Sequence, residues 1–161
     1  MENNSMSVEF DSISKNESFA RVVVAAFVAR LDPTLEEIAD IKTAVSEAVT
    51  NSIIHGYEKE KGKIRIETCI VEDTVTIIIT DRGVGIENIE RAMEPMYTSK
   101  PELERSGMGF AFMEAFMEKY QPILDLKEMT SKMKKMDFSE KYIENVNDDE
   151  INDLSYELAL Q

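Results

Sequence analysis

The strongest constraint on the fold is a stripe of apolar and small residues in the first half of the chain. Ile41, Ala44, Val45, Ala48, Val49, Ser52 and Ile53 recur at spacings of three and four, the period of a helix with one buried side. Glu47, Asn51 and His55 fall between them. Four residues turn a helix by roughly 400°, so these three polar groups form a ridge beside the buried stripe. No lysine or arginine is spaced to neutralise Glu47. A carboxylate and an amide one turn apart can share a metal-phosphate centre, although the same pair also occurs on many solvated helix faces.

With 161 residues, 43% of them apolar, the chain suits one soluble globular domain. Acids outnumber bases 32 to 18, a net charge of −14, which argues against direct nucleic-acid binding because neutralising phosphates needs clustered cations. Cys69 is the one cysteine, so an internal disulfide is excluded. The N-terminus lacks the basic start and apolar run of a signal peptide, and no apolar run approaches the ~20 residues that span a bilayer. A cytoplasmic protein without membrane association is expected.

Ser7 to Ser14 alternates loosely, as a short edge strand does. Asn16-Glu17-Ser18 offers capping side chains for a helix from Phe19 to Ala29, too apolar to have a fully solvated side. Arg21 is its only charge, either a protein-contact anchor or a surface Arg whose stem covers its neighbours. Asp32-Pro33-Thr34 breaks the pattern and opens a second helix, Leu35 to His55, which Gly56 ends as a C-terminal cap. Two alternating runs follow, Ile64 to Ile70 and Val75 to Thr80, the second more central, joined by a hairpin at Glu72-Asp73. Cys69 reads as strand filler.

Asp81-Arg82-Gly83-Val84-Gly85 places a carboxylate where a strand stops, followed by a glycine pair. Such glycines let the main chain approach a flat ligand or turn tightly, and the Asp can accept a hydrogen bond from an exocyclic amine. Asn88 to Pro101 reads as a loop whose Thr98, Ser99 and Lys100 are available to phosphate. Arg105-Ser106-Gly107-Met108-Gly109-Phe110 then runs into an apolar helix, Ala111 to Met117. Glycines opening a helix expose free N–H groups and the positive dipole end, an anion site to which Arg105 adds charge. Together the three stretches offer a metal seat, a base seat and a phosphate seat, as a purine nucleotide triphosphate requires. The P-loop, the protein-kinase His-Arg-Asp loop and the dinucleotide Gly-x-Gly-x-x-Gly are all absent.

The order Glu-x-x-x-Asn, Asp-x-Gly-x-Gly and Gly-x-Gly-Phe resembles the N, G1 and G2 boxes of the GHKL ATPase and kinase superfamily. Asn16 to Val22, Leu31 to Thr34, Ser46 to Tyr57 and Thr98 to Phe110 are similar to the anti-sigma F factors of spore-forming bacteria, which are serine protein kinases. The resemblance covers about residues 7–117. It implies an α+β two-layer sandwich of the Bergerat type, with helices on one face of a mixed sheet, binding ATP or ADP and Mg²⁺. It implies Glu47 as the base toward the substrate serine and Asn51 as the Mg²⁺ ligand. Asp81 takes the adenine amine, Gly83 and Gly85 pass close to the nucleotide, Thr98, Ser99 and Lys100 form a lid, and Arg105 with Gly107, Met108 and Gly109 meets the phosphates. The implied partners are a sigma factor of the sigma-F type, an anti-anti-sigma protein that is substrate and competitor, and a second copy in a homodimer, with Arg21 at a partner surface.

Past Met117 the resemblance stops. Two closing strands are expected of the family, whereas residues 118–161 carry no glycine and form an atypical acidic segment. Leu126, Met129, Met133 and Met136 predict one helix and Ile151, Leu154 and Leu158 another. Divergence, a frameshift or fusion, and a partner-binding extension all fit that departure. His55, the only histidine, is either a relay group or a helix-end residue satisfied by a carbonyl. Two functional classes remain: an ATP-dependent serine kinase that sequesters a sigma factor, and a nucleotide-dependent binding switch without effective turnover.

Overall fold

The computed structural model describes residues 4–57, 60–86, 88–94, 96–97, 108–116, 119–123 and 155–160. In chain order the elements are strand β1 (Asn4–Asp11), helix α1 (Lys15–Val28), α2 (Leu35–Asn51), strands β2 (Lys63–Val71) and β3 (Thr74–Asp81), the short α3 (Ile89–Ala92), α4 (Gly109–Phe116), β4 (Lys119–Ile123) and β5 (Ser155–Leu160). The sheet runs β1-β2-β3-β5-β4, so β3 is central as its β-branched run implied. Every pairing among the described strands is antiparallel, where a mixed sheet was expected.

The core follows from the stripe. Ile41, Ala44, Val45, Ala48 and Val49 of α2 pack with Ala20, Val24 and Val28 of α1 and Met113 of α4 against Ile64, Ile66, Ile70, Val75, Ile77 and Ile79 of the sheet. Alternate residues of β2 and β3 face this helical layer, the period-2 consequence of the pleat. The result is the α+β two-layer arrangement read from the sequence. On the opposite face, Glu67 is only 2% exposed. Its Oε1 lies 3.7 Å from Arg65 Nε without a hydrogen bond.

Several boundaries differ from the sequence expectation. β1 starts at Asn4 because its ladder with β2 runs from Asn4–Ile70 to Asp11–Lys63. α1 starts at Lys15 with no side-chain cap, since Asn16 Nδ2 donates to the Asp11 carbonyl and Ser18 Oγ to that of Lys15. α2 opens on a full capping box, with Thr34 and Glu37 exchanging side-chain and backbone hydrogen bonds. Glu17 binds α1 to α2 through a hydrogen bond from Ser46 Oγ. Glu72 turns the β2–β3 hairpin with φ at 56°.

The C-terminal segment departs furthest from expectation. Residues 119–123 form β4, and residues 155–160, where Leu158 was expected in a helix, form β5 between β3 and β4. Leu158 pairs with Ile77. Tyr156, Leu158 and Leu160 alternate with period two, and the edge that β3 presents beyond β2 supplies the ladder partners. Tertiary pairing thus outweighs a three- and four-residue spacing that only three residues carried. The helix expected around Leu126, Met129, Met133 and Met136 lies outside the described residues, as do Ile151 and Leu154 of the second.

Candidate functional site

The last turn of α2 meets the first turn of α4. Glu47 and Asn51 face the start of α4 so closely that a Cβ on Gly109 would sit 2.9 Å from Glu47 Oε2 and 3.4 Å from Asn51 Nδ2. Any side chain there would push the Glu47 carboxylate aside. Asn51 is 5% exposed, and its Nδ2 has no hydrogen-bond partner. A buried polar atom left unpaired costs about 1–3 kcal/mol, so this position is unfavourable unless something docks. Met108 immediately precedes α4 and is half-buried. Thr98, Ser99, Lys100, Arg105 and Gly107 lie outside the described residues.

Asp81 ends β3 and forms the second part of the site. It is 1% exposed. Its Oδ1 accepts the Gly83 N–H at 3.0 Å, and its Oδ2 has no partner. Burial pushes the carboxyl above its ordinary range, and the nearby Ser52 hydroxyl and Gly83 amide offset only part of that shift. The two glycines that follow have different physical reasons. Gly83 presses on the Gly56 carbonyl, which leaves no room for a Cβ, whereas Gly85 takes a φ of 70°.

Between these two parts α2 changes its winding. Ser52–Gly56 is a π-helical turn, closed by Tyr57 N–H donating to the Ser52 carbonyl at 3.0 Å. The wider turn carries His55 off the line of Glu47 and Asn51. It also puts Ser52 against Asp81, so adjacent residues Asn51 and Ser52 serve the two parts of the site. Gly56 is not a left-handed cap, because Gly85 is the glycine with positive φ among the described residues. Gly56 is small because the Asp81 carboxylate presses on it, with Oδ1 2.8 Å from where a Cβ would be.

Sequence reasoning missed Ser52 and Tyr57 as parts of the site. Tyr57 Oη donates to the Lys63 carbonyl at 2.5 Å and accepts the Arg82 N–H at 2.7 Å. The signal available was the Gly-Tyr pair directly after the polar ridge. Arg21, expected at a partner surface, pairs with Glu17 at 3.4 Å and is 44% exposed at its side chain. It sits on the same helix as the exposed Phe19 and Val22.

The residues present fit a purine nucleotide. Two buried groups await partners, an acceptor at Asp81 and an amide at Asn51, and the opening N–H groups of α4 stand beside the latter. Among the described residues no three His, Cys, Asp or Glu side chains cluster as a metal cage. A Mg²⁺ ion here would rely on the Asn51 amide oxygen together with phosphate oxygens and water, its usual habit. No helix among the described residues is long and apolar enough to cross a membrane.

Comparison with known proteins agrees with this geometry. Residues 14–133 match the histidine kinase-like ATPase domain. The chain is 70% identical over 119 residues to the anti-sigma F factor of Clostridium beijerinckii, covering 73% of this chain and 83% of that one. It is 64% identical over 121 residues to the anti-sigma F factor of Clostridium kluyveri, covering 75% and 85%. To that of Clostridium botulinum strain Eklund 17B it is 66% identical over 119 residues, covering 73% and 83%.

Proposed function

Because this chain belongs to the anti-sigma F factor family and carries the histidine kinase-like ATPase domain, we propose that it is an ATP-dependent protein-serine kinase and sigma-factor inhibitor. In this reading residues 7–117 form the GHKL domain and 118–161 an atypical acidic segment in place of the family's closing strands, with β4 and β5 in the same sheet. The protein holds a sporulation sigma factor of the sigma-F type inactive, and phosphorylates a serine of an anti-anti-sigma protein that competes for it. It acts in the cytoplasm as a homodimer, with Arg21 on the partner-facing surface.

The observation supporting this most is the pair of buried, unpartnered groups Asp81 Oδ2 and Asn51 Nδ2, joined by the turn that follows Asn51. Asp81 accepts the adenine exocyclic amine, and Gly83 and Gly85 keep the loop close to the base plane. The amides opening α4, with Gly107, Met108 and Arg105, neutralise the phosphates, while Thr98, Ser99 and Lys100 cover them. Glu47, beside Gly109 at the phosphate end, takes the serine proton and orients that oxygen for in-line attack. Bound Mg²⁺ supplies charge neutralisation on the transferring phosphoryl group and is held by Asn51. Phosphoryl transfer needs chiefly positioning and charge stabilisation, which this constellation offers.

The test is transfer of labelled phosphate from ATP to an anti-anti-sigma protein by wild type and Glu47→Gln. The expected result is transfer in wild type, and its loss in the variant with nucleotide affinity retained. Tight ATP binding without transfer by wild type would instead favour a nucleotide-dependent binding switch, a reading that draws on the departure of residues 118–161 from the family. Absence of ATP binding would overturn both.

A further inference from the structure

The loop that carries Asp81 is held from one side by the residues just past the π-helical turn. Val84 N–H donates to the Gly56 carbonyl at 2.9 Å, Gly83 rests on the Gly56 backbone, and the Arg82 N–H donates to Tyr57 Oη at 2.7 Å. Tyr57 Oη in turn donates to the carbonyl of Lys63, the first residue of β2. One hydroxyl thus joins the end of α2, the start of β2 and the first amide beyond β3. The Tyr57 ring covers Gly62, where no side chain would fit, and packs on the hydrophobic core, so the oxygen has little freedom to move.

We infer that Tyr57 is a positioning residue that sets the site's preference for a purine bearing an exocyclic amine, by holding the Arg82 amide and with it the direction of the Asp81 carboxylate. The inference rests on the nucleotide-binding reading above. Asp81 is two bonds of main chain from the clamped amide, and its Oδ1 is already committed to Gly83. Its Oδ2 has no hydrogen-bond partner, so apart from the Ser52 hydroxyl beside the carboxylate it is aimed by the loop. If the clamp is lost, an acceptor that must meet one N–H group is misdirected, whereas contacts to sugar and phosphate at the Asn51–Gly109 end are untouched.

Tyr57→Phe keeps the ring and deletes both hydrogen bonds. Affinities of wild type and variant are measured by calorimetry for ATP and for inosine triphosphate, whose base lacks the amine, together with hydrogen exchange at the Arg82 amide. The expected result is an ATP affinity lowered about five- to tenfold, the size of one or two net hydrogen bonds, an inosine triphosphate affinity changed less than about twofold, and faster Arg82 exchange. A merely structural tyrosine would lower both affinities alike, and either that outcome or an unchanged ratio overturns the inference. If wild type bound neither nucleotide, the functional reading itself would fall. If wild type discriminates and Tyr57→Phe discriminates equally, only this inference falls.

Discussion

Gly109 opens α4 directly over the Glu47 carboxylate, leaving 2.9 Å between Oε2 and the place a Cβ would occupy. The helix start proposed to bind phosphate and the helix bearing the proposed base are therefore in contact through a hydrogen atom. Gly109→Ala forces the flexible Glu47 side chain to move, while favouring helix formation at that position. The expected outcome is a near-wild-type melting temperature with the phosphotransfer rate down about 10- to 100-fold, because misplacement of a reacting group by about 1 Å has that effect. A single-turnover assay beside a thermal melt checks both parts.

Asp81 shows a conflict between stability and binding. Its folded-state carboxyl is pushed above its ordinary value by burial, so the folded protein holds that proton more tightly than the unfolded chain does. The contribution of Asp81 to stability therefore falls as pH rises from about 3.8 through its raised value and stays low at neutral pH. Asp81→Asn is expected to stabilise the ligand-free protein near neutrality while weakening ATP binding by about 1–3 kcal/mol. ATP binding by wild type is expected to weaken as pH falls through the raised value, since the ionised carboxylate is the better acceptor. Denaturant unfolding and calorimetric titration across pH read the two effects separately.

The glycine pair predicts unequal penalties. Gly83→Ala sets a Cβ against the Gly56 carbonyl, backbone against backbone with no side chain to yield, and is expected to destabilise by about 1–3 kcal/mol. Gly85→Ala meets only the left-handed backbone at φ 70°, worth about 1–2 kcal/mol. Urea unfolding measures each, and Gly83→Ala should also loosen the base loop enough to lower ATP affinity.

Glu67 tests the other face of the sheet. Burial raises its carboxyl above the ordinary range, and the Arg65 charge offsets this only in part. The net upward direction means desolvation outweighs the ion pair. Glu67→Gln is expected to be more stable than wild type at neutral pH and to lose that advantage in acid, where Glu67 is itself neutral. Parallel unfolding curves at the two pH values check the crossover.

Much of the fold was legible because its signals were periodic and local. The α2 stripe from Ile41 to Val49, the β2–β3 hairpin at Glu72-Asp73 and the Thr34 start each follow from side-chain spacing or capping chemistry. Asp81 at a strand end and Gly109 at a helix start were visible for the same reason. The π-helical turn was not, since nothing in Ser52-Ile53-Ile54-His55-Gly56 departs from an ordinary apolar helix. Its geometry is imposed by packing against Asp81 and Gly83. Gly56 looked like a cap because a small residue at a helix end usually is one, whereas here a carboxylate from a distant strand sets its size. β5 was misread because its pairing partner, β3, is far away in sequence and no local pattern names it.

The widened turn after Asn51 amounts geometrically to one surplus residue in an otherwise regular rod. Upstream of it, the phase of Glu47 and Asn51 is fixed by the buried stripe; downstream, the phase of Gly56 and Tyr57 is fixed by a different set of neighbours. Loss or gain of a single codon there would re-aim everything that follows while leaving everything before in place. The two ends of the proposed nucleotide site can thus change separately, the Asp81 end without the Glu47–Asn51 end.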